Sequence, residues 1–103
     1  MNLTEKICGI TGSANGIGEK CALKFAEYGA ELLLIDKDEK IKSIADFIGS
    51  KYKRSVRFIV GDITNNEILD RMESIINNQF NRVDVLFNNA GVIRLSDDIS
   101  TLD

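Results

Sequence analysis

Thr11-Gly12-Ser13-Ala14-Asn15-Gly16-Ile17-Gly18 is the stretch on which the reading of the fold turns. An apolar run, Ile7-Cys8-Gly9-Ile10, leads into it, and Ile17, Cys21 and Phe25 recur every four residues after it. Strand, glycine turn and helix in that order make the phosphate-binding corner of a dinucleotide fold. Each glycine has a physical reason. A side chain at Gly12 would block the tight exit from the strand, one at Gly16 would hold the backbone away from a pyrophosphate, and one at Gly18 would keep the helix off the sheet. The helix N-terminus then offers unpaired N–H groups and a partial positive charge to an anion. The spacing is Gly-x-x-x-Gly-x-Gly rather than Gly-x-Gly-x-x-Gly, and no Gly-Lys-Ser/Thr closes it as in a P-loop. On its own such a turn can also be a plain connector.

Working outward, the first strand is expected at about Lys6 to Thr11, with Gly9 an unusual interior residue that leaves little to pack. The first helix should run from Gly16 to about Tyr28 and stop at Gly29. Glu31-Leu32-Leu33-Leu34-Ile35-Asp36 follows at once, and its four consecutive apolar residues predict a strand buried on both faces of a parallel sheet. Two parallel strands joined by a helix form a right-handed crossover. Asp36 ends the second strand, eighteen positions after Gly18. An acid there can accept hydrogen bonds from the adenosine ribose and repel a 2′-phosphate, which favours NAD over NADP. Lys37 beside it works against that repulsion and belongs to the same candidate site. Asp36 can equally serve as an acid at the start of the next helix, and the two roles are compatible.

That second helix is expected at roughly Asp38 to Ile48, with Ile41, Ile44, Ala45 and Ile48 as its apolar stripe and Gly49-Ser50 as its end. Lys51 to Arg54 reads as a solvated basic connection. A third strand, about Ser55 to Val60, ends in Gly61-Asp62-Ile63-Thr64, where Asp62 is a turn acid or a contact for the adenine edge. Thr64-Asn65-Asn66-Glu67 has the form of a capping box, so a third helix starts there and ends near Asn77-Asn78. The fourth strand is Val83-Asp84-Val85-Leu86-Phe87, followed by Asn88-Asn89-Ala90-Gly91, whose small residues and amides let a ring approach the backbone. Residues 92–103 read as an irregular tail or the start of a further element.

Composition narrows the classes. A chain of 103 residues, 44% hydrophobic and 28% charged, is one small domain. A net charge of -3 argues against nucleic acid or an anionic membrane as partner. No apolar run approaches the roughly eighteen residues of a membrane span. The N-terminus shows no basic segment leading into a long apolar one, so a cytoplasmic location is expected. Two cysteines and no histidine exclude a disulfide framework, a thiolate metal site and Ser-His or Cys-His catalysis. Cys8 and Cys21 read as small buried apolar residues.

Taken together, Thr11-Gly12-x-x-x-Gly16-x-Gly18, Asp36, Gly61-Asp62-Ile63 and Asn88-Asn89-Ala90-Gly91 closely resemble the N-terminal half of a short-chain dehydrogenase/reductase. The resemblance covers the chain from about Lys6 onward. It implies that Gly12, Ser13, Asn15, Gly16, Ile17 and Gly18 contact the adenosine ribose and pyrophosphate. It also implies that Asp36 holds the ribose and that Asp62 and Ile63 bracket the adenine. Asn89, Ala90 and Gly91 would line the cofactor groove. In the family these serve hydride transfer between a nicotinamide and an alcohol or carbonyl. The family's catalytic serine, helix asparagine and Tyr-x-x-x-Lys pair have no match here. The only tyrosines are Tyr28 and Tyr52, with Leu32 and Val56 four residues on. The resemblance therefore implies the cofactor-binding half as a truncated or fragment chain. A non-catalytic dinucleotide-sensing module and an interaction half-domain that completes its sheet with another chain are the alternatives.

The expected architecture is a Rossmann-like, doubly wound parallel sheet of four strands in the order 3-2-1-4. The first two helices share one face, the third lies alone on the other, and the cofactor crevice falls between the first and fourth strands. With nothing beyond the fourth strand to pair with it, Val83 to Phe87 would be an exposed edge prone to self-association.

Overall fold

The computed structural model describes residues 2–14, 16–80, 83–88 and 100–102. Strand β1 (Ile7–Thr11), helix α1 (Gly16–Glu27), β2 (Glu31–Asp36), α2 (Ile41–Tyr52), β3 (Val56–Val60), α3 (Asn66–Ile75) and β4 (Val85–Asn88) follow the expected alternation. A π-helical turn (Ile76–Phe80) extends α3, and a short β5 (Ser100–Leu102) follows β4. All pairings are parallel, in the order β3-β2-β1-β4-β5. The 3-2-1-4 order and the Rossmann-like winding expected from the sequence are thus present.

Alternation along the central strands feeds two cores, because successive side chains leave a strand on opposite faces. Cys8, Ile10, Leu32 and Leu34 pack with Ala22 and Ala26 of α1 and Ile41, Ala45 and Ile48 of α2. Ile7, Leu33, Ile35 and Ile59 pack with Met72 of α3 and Ile76 of the π turn. The first two helices therefore share one face and α3 takes the other. Leu32 to Ile35 are wholly buried, as the unbroken apolar run of β2 requires. Gly9 is explained by the α3 face. A Cβ there would come within 3.0 Å of Leu86 Cδ1, which occupies the space a side chain would need.

The inner stripe of α1 is not the one its larger residues suggest. Ile17 is 65% exposed, and Gly18, Ala22 and Ala26 are buried instead. Small residues at four-residue spacing let the helix axis approach the sheet closely, which a stripe through Ile17 would prevent. Cys21 and Phe25 lie at the margin of that core. The helix ends as expected at Gly29, with φ 107°. The Gly29 N–H donates to the Ala26 carbonyl and the Ala30 N–H to that of Phe25, the paired bonds of a Schellman motif.

Several boundaries differ from the sequence reading. Helix α2 begins at Ile41 because Asp38 to Lys40 form a turn, in which the Lys40 N–H donates to Asp38 Oδ1 and the Ile41 N–H to the Asp38 carbonyl. It runs through Gly49-Ser50 to Tyr52 and stops at Lys53, in the left-handed region at φ 54°. Tyr52 continues the apolar stripe one turn past Ile48, and its packing against the core outweighs the weak helix propensity of Gly49. Helix α3 is capped one residue later than the capping box suggests. The Asn65 side chain accepts the Glu67 N–H at 2.8 Å, while the Thr64 hydroxyl turns back to Asp62. Strand β4 starts at Val85, because Asp84 ties its own N–H to the Ile7 carbonyl and takes the Ile7 N–H on its carboxylate, 2.8 Å away.

The expectation of a bare outer edge on β4 is overturned. Val85, Leu86 and Phe87 stand opposite Ser100, Thr101 and Leu102 of β5. Backbone donors and acceptors along an edge strand are costly to leave unpaired away from water, and the end of the same chain satisfies them. Among the described residues no helix is long and apolar enough to cross a membrane.

Candidate functional site

Parallel strands bring all their carboxyl ends to one side of the sheet, and here the ends of β1, β2 and β3 enclose a cleft of about 260 Å³. Gly12 just past β1, Ile35 and Asp36 of β2 with Lys37 after it, and Gly61, Asp62 and Ile63 just past β3 line it. The residues that bring β1 into this arrangement are Gly12, at φ 64°, and Gly16, at φ 56°. Such values suit glycine and strain a side-chain-bearing residue. Around Gly16 a Cβ would meet nothing within 4 Å among the described residues, which leave the backbone at the start of α1 open to a ligand. The first-turn N–H groups of α1 cannot be paired within the helix and are available to an anion there.

The turn is fastened from β2. The N–H groups of Gly12 and Ser13 both donate to the Ile35 carbonyl, at 2.8 and 3.4 Å. The Ser13 hydroxyl donates to the same oxygen at 3.4 Å, and Ser13 is fully buried. Ser13 therefore braces the turn through its side chain. The Ala14 N–H donates to Asp36 Oδ2 at 3.0 Å, and the Asp38 N–H to Asp36 Oδ1 at 2.8 Å. On the third strand, the Gly61 N–H donates to the Asp36 carbonyl at 2.9 Å and extends the β2–β3 pairing into the cleft wall.

Asp62 is held ionised. The Thr64 N–H, 2.9 Å from Oδ1, and then the Thr64 hydroxyl, at 2.8 Å, stabilise its carboxylate and lower its pKa. Lys37 adds a smaller attraction from across the cleft. Two acids and one lysine thus face the same space. Gly61 is glycine for a reason of packing, since a Cβ would run into the side chain of Ile68 on α3.

Of the residues singled out from the sequence, Gly12, Asp36, Lys37, Asp62 and Ile63 come together around the cleft. Ser13 lies in the turn, and Gly16, Ile17 and Gly18 form the first turn of α1, with Gly18 buried and Ile17 exposed. Asn15, Asn89, Ala90 and Gly91 lie outside the described residues. Sequence reasoning missed Ala14, whose N–H meets Asp36, and Thr64, whose two donors fix Asp62. Only the hydroxyl of Thr64, two residues after an acid, was a readable signal. Among the described residues no group of three His, Cys, Asp or Glu side chains could hold a metal ion.

A family model of the short chain dehydrogenases matches residues 6–103. The chain belongs to the short-chain dehydrogenase family. It is 39% identical over 95 residues to the (2S)-[(R)-hydroxy(phenyl)methyl]succinyl-CoA dehydrogenase subunit BbsD of Thauera aromatica, covering 91% of this chain and 38% of that protein. It is 34% identical over 95 residues to an NAD-dependent glycerol dehydrogenase of Listeria innocua, covering 92% of this chain and 36% of that one. Among solved structures, L-sorbose reductase from Gluconobacter frateurii, complexed with NADPH and L-sorbose, superposes with a TM-score of 0.83 and 30% identity, over 89% of this chain and 35% of that one. Carveol dehydrogenase from Mycobacterium avium, in complex with NAD, gives a TM-score of 0.78 at 25% identity, over 88% and 37% of the two chains. The chain thus spans little more than a third of the length of these relatives, and they include proteins solved with either dinucleotide.

Proposed function

We propose that this chain forms the nicotinamide-dinucleotide-binding half of a short-chain dehydrogenase/reductase and prefers NAD to NADP. The observation that carries the reading is the position of the Asp36 carboxylate. It is fixed by two backbone N–H groups at the wall of the cleft, beside a glycine turn whose Gly16 is open to a ligand. In this reading the first turn of α1 holds the pyrophosphate, Asp36 accepts from the adenosine ribose hydroxyls, and Asp62 and Ile63 flank the adenine. A bound nicotinamide supplies the hydride donor or acceptor. The residues of this chain bind and orient it and contribute no proton at the substrate, since no Tyr-x-x-x-Lys pair stands in the sequence.

The preference follows from charge. A 2′-phosphate on the adenosine ribose would be brought against the Asp36 carboxylate, and a close conflict of this kind in a partly buried site is worth about 1–3 kcal/mol. Lys37 pulls the other way, but it also faces Asp62, which offsets part of its charge. Calorimetry with NAD and NADP tests the reading. Tighter binding of NAD, with a smaller difference in Asp36→Ala, is the expected result. Equal affinities or a preference for NADP would overturn the preference, and no binding of either would overturn the function. The same preparation should turn over none of a panel of alcohols and ketones above the buffer rate.

A further inference from the structure

Three consecutive backbone donors of the glycine turn, on Gly12, Ser13 and Ala14, are all taken by the last two residues of β2. The first two go to the Ile35 carbonyl, an acceptor that any residue would supply. The third, on the fully buried Ala14, depends on one side chain, the carboxylate of Asp36 from 22 residues further along the chain. The other oxygen of that carboxylate holds the Asp38 N–H at the start of the turn leading to α2. A single carboxylate therefore ties the β1–α1 turn to the β2–α2 turn at the wall of the cleft.

We infer that Asp36 is a positioning residue for the phosphate-binding turn as well as a partner for the ribose. Its Oδ2 clasps the Ala14 N–H and fixes the backbone from which α1 aims its first N–H groups. A carboxylate oxygen accepts more than one hydrogen bond, so the clasp and a ribose contact are compatible. This inference rests on the proposed dinucleotide site, but it separates from the charge argument in sign. Removing a negative charge beside a diphosphate by itself raises affinity for the anion. Removing the clasp leaves a buried N–H unpaired and the turn unfastened, which lowers affinity for any ligand held there. Exchanging Asp36 thus weakens the binding of NAD through the turn as well as through the ribose.

The decisive probe is 2′,3′-dideoxyadenosine 5′-diphosphate, which has neither the ribose hydroxyls nor a 2′-phosphate. Its affinity for the full chain is measured by calorimetry for the wild type, Asp36→Ala and Asp36→Ser, alongside NAD and the hydrogen-exchange rate of the Ala14 amide. Serine retains a short acceptor for the Asp38 N–H but cannot span to Ala14, so it protects against simple unfolding of the β2–α2 turn. The expected result in both variants is a loss of about tenfold or more in affinity for the dideoxy probe, with faster Ala14 exchange. Unchanged or tighter binding of the probe overturns the inference whatever the exchange rate does. A wild type that binds neither NAD nor the probe sinks the proposed function, whereas a wild type that binds both, with variants that lose only NAD, sinks the clasp alone.

Discussion

Gly16 and Gly29 both sit at positive φ, 56° and 107°, but they answer to different demands. At Gly16 no described residue comes within 4 Å of a Cβ, so against them alanine there pays only the left-handed backbone penalty of about 1 kcal/mol. The same Cβ points into the room that a pyrophosphate needs. At Gly29 a Cβ would come within 2.8 Å of Thr4 Oγ1, 3.1 Å of the Thr4 backbone N and 3.2 Å of its Cα, so the Thr4 segment would have to shift. Gly29→Ala is expected to cost about 2 kcal/mol or more in urea unfolding while leaving NAD affinity unchanged once folded. Gly16→Ala is expected to do the reverse, with a small loss of stability and a loss of NAD binding of tenfold or more. Calorimetry beside denaturant titration separates the two.

Strand β1 is joined to β4 by more than its ladder. The Asp84 carboxylate takes the Ile7 N–H just before the regular pairing of Cys8 with Val85 begins. That places a charge near the Cys8 thiol, which is itself buried. Burial first, and Asp84 second, push the Cys8 pKa up from 9.0 to about 11. The folded form thus keeps a proton that the unfolded form has lost between those values. The associated stability is fully present below pH 9 and declines as the pH rises through about 11. Thermal melts across pH 8 to 11 should show this alkaline loss, and Cys8→Ala should make its slope shallower. At the other end of the sheet, the folded state holds the Asp62 carboxyl below its usual 3.8, so its contribution is present above that value and fades on acidification. Asp62→Asn should flatten the acid limb of the same melts, by a small amount because the group is exposed.

Over the whole molecule, β5 changes what the isolated chain is expected to do. A bare, apolar, parallel β4 edge would be a template for association. With Ser100, Thr101 and Leu102 paired against Val85, Leu86 and Phe87, that template is occupied from within the chain. Removing residues 100–103 should therefore lower the melting temperature and make the sedimentation coefficient rise more steeply with concentration than it does for residues 1–103. Equal concentration dependence of the two forms would show that β5 does not protect this edge. The two cores also differ in cover. Helices α1 and α2 close one face, while among the described residues α3 and its π turn cover Leu33, Ile35 and Ile59 on the other.

The order 3-2-1-4 was implied by the resemblance of the ordered motifs to the short-chain dehydrogenases, whereas local patterns by themselves determined the alternation of strands and helices, the two-sided burial of β2 and the glycine turn that opens the site. Those features follow from short-range rules: an unbroken apolar run needs burial on both faces, and Gly12, Gly16 and Gly29 stand where the backbone turns left-handed. Asp36 and Asp62 were legible as candidates because they end strands whose carboxyl ends must meet. Only the tertiary structure decided which face of α1 goes inward, since Gly18, Ala22 and Ala26 win over Ile17 through closeness of approach rather than hydrophobicity. It also decided that α2 passes Gly49, because Tyr52 finds a core to pack against. The Ala14–Asp36 bond spans 22 residues, and the pairing of β5 with β4 joins segments that local propensity does not connect. Both depend on which backbone donors and acceptors remain unpaired once the sheet has assembled, a property of the assembled sheet that no local stretch carries.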